Sequence, residues 1–331
     1  MTNQLERRDQ VLTAVRNLVH AAALHRELTP AVSEYVRATS LLSVSKLEDW
    51  EKTIRDEICL ESHFKPKLFP LRSRRLQIPW LDCCNRDGYL RESALRSLNE
   101  GAPNEFLFAI VLRRLNDWVP QVRGAAREHV PKIAANTKPE HILEALWTIL
   151  PHLHTWGRLQ GEDLEVLMTL LSVADVPLRL ASKLVEATAG PAASILGQAG
   201  RKPILDKFLP TISEEAVQPA VRAKAYRSQL EERIVWFEGR KWVWTDVRWC
   251  QGRYEPVLGE RKIHVYRPFL ETLEKAARDN SPVVRRVAGD ALVAQLHSIG
   301  VDAVPIAEIL SGDSYPSVAE RGKFVLERVE A

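Results

Sequence analysis

The residues best equipped for chemistry lie between Ile234 and Tyr266, where four of nine tryptophans (Trp236, Trp242, Trp244 and Trp249) fall within 14 residues. Basic side chains interleave with them: Arg233, Arg240, Lys241, Arg248, Arg253, Arg261, Lys262 and Arg267, against Glu238, Asp246, Glu255 and Glu260. Aromatic faces held between cations can stack nucleobases and follow a phosphate backbone. The same side chains also make the energetic centres of protein interfaces. Alternatively, a small sheet has little else to bury, and simply packs Trp242 and Trp244 on one face and Val243, Val247 and Trp249 on the other. The candidates for gripping a protein partner are Trp236, Trp242, Trp244, Arg248, Trp249 and Tyr254. Candidates for nucleic-acid contact are Arg240 and Lys241, with Lys65, Lys67, Arg72, Arg74 and Arg75 of the run 65–79. That run holds three prolines and five basic residues without one acid, which equally describes a solvated connector kept extended by proline.

Other chemistry is poorly represented. His152-Leu153-His154 is the closest histidine pair, and no cysteine or carboxylate stands near it at a zinc spacing. Cys59, Cys83, Cys84 and Cys250 make no CxxC, and the adjacent Cys83 and Cys84 are better suited to filling core space than to pairing with each other. This cysteine usage predicts a reducing, cytoplasmic setting. HExxH, GxSxG, GxGxxG and GxxxxGK[ST] are all missing. The expectation is therefore a protein without catalytic activity, metal, cofactor or small-molecule substrate. The net charge of +3, from 46 basic and 43 acidic residues, is too balanced to imply a polyanionic partner by itself. No apolar run approaches the length of a membrane span, and the first residues, Met1-Thr2-Asn3-Gln4-Leu5-Glu6-Arg7-Arg8, lack the apolar stretch of a secretory signal.

The elements that position these residues announce themselves through a repeated phrase. Residues 117–126 and 279–288 both read D-x-x-P-x-V-R-x-x-A: Asp117, Pro120, Val122, Arg123, Ala126 and Asp279, Pro282, Val284, Arg285, Ala288. Partial copies keep Pro219, Val221, Arg222 and Ala225; Asp313, Pro316 and Val318; Arg91 and Ala94; and Asp175, Pro177 and Arg179. Proline is at home in a helix's first turn, where its missing N–H costs nothing and its φ is already helical. The Asp three residues earlier can accept from free backbone donors of the turn. Val and Ala at i and i+4 share one helix face, the small Ala admits a neighbouring helix, and the Arg beside that face can reach a carboxylate in the next unit. Matched Arg positions lie 32 residues apart from Arg91 to Arg123, and 34 apart from Arg285 to Ala319, a length for two helices and their turns. The 63 residues from Arg222 to Arg285 are too many for one such unit and short for two, so something other than a helix pair is expected there. Aromatic and β-branched residues punctuated by Gly239, Gly252 and Gly259 predict two to four short strands over that stretch.

The phrase resembles the inner turn of HEAT repeats, each a pair of antiparallel helices. The resemblance implies a ladder in which turn Asp and following Arg residues link neighbouring repeats. Asp117, Arg123, Asp279 and Arg285 match its positions, Asp313 matches without an onward Arg because Ala319 takes that place, and Ala216 replaces the Asp upstream of Arg222. The architecture is also similar to that of bacterial alkylpurine DNA glycosylases, although the Trp and Asp site residues of that family match no positions here. The fold expected is all-α: a solenoid of about five to seven stacked antiparallel HEAT-like helix pairs with a small antiparallel β insertion near 234–266. Its divisions would be an N-terminal helical segment, 1–80, carrying the basic run; repeats over 81–233; the insertion, 234–266; and further repeats over 267–331. The function expected is a non-catalytic scaffold or adaptor for a protein partner, with nucleic-acid binding as the alternative and a DNA glycosylase behind both.

Overall fold

The computed structural model describes residues 2–63 and 76–329. Helices make up most of it, and the described residues contain one sheet, of two antiparallel strands. The chain divides into two compact units, Met1–His152 with Trp156–Val176, and Leu153–Thr155 with Pro177–Ala331.

The first unit contains α1 (Thr2–Ala23), α2 (Thr29–Thr39), α3 (Leu47–His63), α4 (Pro79–Asp82), α5 (Gly88–Ser97), α6 (Glu105–Arg113), α7 (Pro120–Ala135), α8 (Pro139–Ile149) and α9 (Gly161–Leu170). Successive helices alternate between two layers: α5 packs on α7 and α7 on α9, while α6 packs on α8. Helix α6 is wholly apolar from Phe106 to Leu112 and buried all round, as a helix with neighbours on every side must be. Val122, Ala126, Val130 and Ile133 of α7 are equally buried, so α6 and α7 together form the core of this unit.

The second unit contains α10 (Val176–Glu186), α11 (Ala192–Ala199), α12 (Leu209–Glu215), α13 (Pro219–Leu230), β1 (Arg233–Asp246), β2 (Gln251–Lys262), α14 (Phe269–Ala277), α15 (Pro282–Ala294), α16 (Leu296–Ile299), α17 (Val304–Ser311) and α18 (Pro316–Val329). The pairs α12–α13, α14–α15 and α17–α18 stack so that α13, α15 and α18 form one layer and α14 and α17 the other. Tyr226, Leu273, Val284, Leu292, Leu310 and Val325 belong to their shared apolar core. Helix α15 ends at Gln295, whose φ of −104° and ψ of 9° are not helical, before α16 begins at Leu296. Repeated helix pairs interrupted by one hairpin make this the all-α, HEAT-like fold with a small β insertion that the sequence predicts.

The repeated phrase shares one turn geometry at Asp117, Asp279 and Asp313. The turn Asp accepts from the amide two residues on: Asp117 from Val119 (3.0 Å), Asp279 from Ser281 (2.7 Å) and Asp313 from Tyr315 (2.9 Å). The Arg six residues after the Asp position returns one Nη to that residue's carbonyl, at 2.8 Å for Arg123 to Asp117 and for Arg222 to Ala216, and 2.9 Å for Arg285 to Asp279. Its other edge grips the next Asp with two bonds. Arg91 holds Asp117 at 2.8 Å twice, Arg222 holds Asp279 at 2.8 and 2.9 Å, and Arg285 holds Asp313 through Nε and Nη2. The Arg222–Asp279 pair spans 57 residues, so the hairpin is inserted without breaking the stack of α13 on α15.

Arg123 departs from the expected ladder. Its Nε is buried without a hydrogen-bond partner among the described residues, because the next turn carries Arg158 three residues before α9, where an Asp would be needed. Asp117 instead belongs to a buried network. Arg114 bridges it (2.9 Å) to Glu51 (2.6 Å), and Arg91 closes the other side.

Candidate functional site

The hairpin β1–β2 is assembled from its base outward. Ile234, almost wholly buried, packs against Gly200 at the end of α11; a Cβ there would meet Ile234 Cδ1 at 2.2 Å. Arg261, opposite Ile234 in the register, donates two bonds to Asp206 (3.0 and 2.7 Å) and one to the Gly200 carbonyl (2.9 Å). The outer edge of β1 is covered as well: Lys224 of α13 donates to the Val235 carbonyl and Gln198 of α11 to the Phe237 carbonyl (2.5 Å). An unpaired strand edge invites further pairing, and these two side chains close it. Burial, with Arg227 nearby, draws the Lys224 pKa below the usual lysine range. Trp236 lies under the Arg201 guanidinium, 4.8 Å from its ring centre, and donates its indole N–H to Glu238 (2.9 Å). His154 meets Phe237 edge to face at 5.0 Å.

A bulge then turns the hairpin's faces over. The register runs from Phe237 opposite Leu258 straight to Gly239 opposite Val257, leaving Glu238 as an extra residue. One extra residue reverses the parity of side chains. Trp236 and Trp242, six residues apart, would share a face in a regular strand; here they stand on opposite ones. Beyond the bulge Arg240, Trp242 and Trp244 share a face with Tyr254, which pairs with Trp242. Trp242 meets Trp244 at 5.6 Å and 86°, and Tyr254 at 5.0 Å and 71°, both edge to face. Gly252, opposite Trp244, makes room: a Cβ on it would lie 2.5 Å from the Trp242 ring.

This outer half stands in solvent. Trp242 is 42% exposed, Trp244 53%, Tyr254 65% and Trp249 76%. Val247 and Trp249 are not on a strand face, as the self-packing expectation has them; both lie in the connecting turn, where Asp246 accepts from the Arg248 and Trp249 amides. Arg240, Lys241 and Arg248 are exposed there too. The structure thus brings together Trp242, Trp244, Tyr254 and Arg240, with Arg248 and Trp249 at the tip. It sends Trp236 to the base. Lys65, Lys67, Arg72, Arg74 and Arg75 lie outside the described residues. Sequence reasoning missed Gln198, Gly200, Asp206 and Lys224, the residues that hold the hairpin. Their partners are 11 to 61 residues away and only the fold joins them.

Burial rather than reactivity marks the adjacent thiols: desolvation pushes Cys83 up to about 12, and Cys84 further in the same direction. Among the described residues no group of three or more His, Cys, Asp or Glu is placed to hold a metal ion. No single described helix is long and apolar enough to cross a membrane; α15 and the helical run 296–311 have the apolar length only together, and meet at 69°.

A family model described as a HEAT repeat associated with sister chromatid cohesion matches residues 260–291. The matched stretch holds Asp279, Pro282 and Arg285, and supports a HEAT-repeat protein. No curated protein matches the chain.

Proposed function

We propose that the chain is a non-catalytic scaffold of HEAT-like helix pairs that holds a protein partner with the outer half of its tryptophan-rich hairpin. The observation that carries this is the exposure of Trp242, Trp244, Trp249 and Tyr254 on a hairpin whose base is fixed to helices. Large aromatic side chains dominate interface energetics, and a patch already held in place loses little entropy when it binds. Trp242→Ala with Trp244→Ala is expected to abolish capture of the partner while leaving helical circular dichroism and the melting temperature unchanged. A fall in melting temperature with binding intact would show the tryptophans serving only the hairpin.

Nucleic-acid binding is favoured by one observation, the exposed cations Arg240, Lys241 and Arg248 beside aromatic rings. Fluorescence anisotropy with single- and double-stranded DNA and RNA at two salt concentrations separates the two functions, because phosphate contacts weaken steeply with salt and apolar contacts do not. The glycosylase alternative is tested by release of a base from alkylated duplex DNA.

A further inference from the structure

We infer that the segment held by the hairpin is an acidic, extended peptide that lays an apolar side chain among Trp242, Trp244 and Tyr254; this rests on the protein-binding function proposed above. Charge is the first ground. Asp246 is occupied by the amides of the turn, at 2.9 and 3.4 Å, and Glu255 holds Arg253 at 2.9 Å. Arg240, Lys241 and Arg248 are exposed, and among the described residues none of them has an ion-pair partner. The outer hairpin therefore presents uncompensated positive charge, and an interface selects the opposite sign. Position is the second ground. Arg240 lies two residues before Trp242 on the aromatic face, and Arg248 lies in the turn beyond Trp244. At a strand rise of about 3.3 Å, the four residues from Arg240 to Trp244 span roughly 13 Å. Carboxylates about four to six residues apart in an extended chain match the two cations, with the apolar anchor between them.

Ring geometry separates a peptide from a nucleic acid. Trp242 stands at 86° to Trp244 and 71° to Tyr254. Rings meeting edge to face make a notch for a proline ring or a branched side chain, whereas successive bases stack on parallel faces. Among the described residues of the outer hairpin, three free cations are also few for tracking phosphates. The edges of the sheet leave recognition to side chains. In the register, residues of β2 with the parity of Glu260 and Leu258 turn their backbone groups outward, and Pro256 shares that parity. A proline there has no N–H to offer an added strand.

The test pans the full chain against a phage-displayed random peptide library at near-physiological salt. The wild-type protein is expected to enrich peptides with an apolar residue flanked by Asp or Glu. The enriched peptide, resynthesised with a fluorophore, should lose about tenfold or more in affinity on Trp242→Ala with Trp244→Ala, and similarly on Arg240→Glu with Arg248→Glu. Unchanged circular dichroism in both variants excludes misfolding. Enriched peptides that need the tryptophans but carry no acidic bias would overturn this partner chemistry and leave the protein-binding function standing. No tryptophan-dependent peptide at all would overturn both. So would oligothymidine binding tighter than the peptide and lost in the Arg240→Glu, Arg248→Glu variant.

Discussion

At the scale of the residue, the same arginine position does two different jobs. Arg91 and Asp117 are 3% and 2% exposed at their side chains and share two bonds. Asp117→Ala strands the buried Arg91 without a carboxylate and is expected to cost about 3–5 kcal/mol, while Arg91→Ala, which leaves Asp117 with Arg114, is expected to cost about 3 kcal/mol. Arg123 contributes one bond to a carbonyl while its Nε meets no partner among the described residues, so Arg123→Ala should cost about 1 kcal/mol. Urea denaturation of the three variants checks the order; equal losses would mean that Arg123 carries a rung after all. The difference was legible, because Arg158 stands three residues before α9 where Asp is required. The repeated phrase drew attention to Arg123 itself and away from the residue it needs opposite. Thiol chemistry separates by burial in the same way. A thiol-specific reagent added to the native protein should modify Cys250, exposed in the hairpin turn, and spare Cys83 and Cys84 until the chain unfolds. Rapid modification of either buried thiol would contradict the packing around them.

At the scale of the element, the hairpin has a fixed base and a free end, and two glycines report on them separately. Gly200→Ala forces a methyl group into Ile234, so it should destabilise the second unit by about 1–3 kcal/mol. Gly252→Ala presses on the Trp242 ring at the exposed end, so it should alter the near-ultraviolet circular dichroism of the aromatic cluster with little change in melting temperature. If Gly252→Ala destabilised as much as Gly200→Ala, the outer half would be part of the folded core and not a free surface. The existence of this element was readable from the spacing of Arg222 and Arg285, too long for one helix pair, and from its aromatic, glycine-punctuated composition. Its faces were not. Alternation of side chains assigns Trp236 and Trp242 to one face, and the extra residue Glu238 sends them to opposite ones. A bulge of one residue depends on what the strand meets, here the side chains of α11 and α13 along its edge, and no local pattern records that contact.

At the scale of the whole molecule, the two units hold their carboxylates differently, and acid should tell them apart. In the first unit, burial alone would raise the pKa values of Glu51 and Asp117. The charges of Arg114, Arg113 and Arg55 around Glu51, and the hydrogen bonds and charge of Arg91 and Arg114 around Asp117, outweigh burial and leave both below the usual range. In the second unit, the hydrogen bond from Arg285 lowers Asp313. A carboxylate whose pKa is lower folded than unfolded stabilises the fold fully above its unfolded value, about 4, and that contribution disappears as pH falls through the folded value. The contribution of these carboxylates should therefore be level from neutral pH down to about 5 and fall below about 4. Glu51 and Asp117 are both 2% exposed and share one network with Arg114, whereas Asp313 faces a single Arg that is 16% exposed. Protonating the buried network strands more charge, so the first unit should open first. Hydrogen exchange pulsed after incubation at decreasing pH should show α5 and α7 losing protection before α13 and α15, and Asp117→Asn should flatten the acid limb for the first unit alone. Simultaneous loss in both units, or an unchanged acid limb in Asp117→Asn, would place the acid sensitivity outside this network.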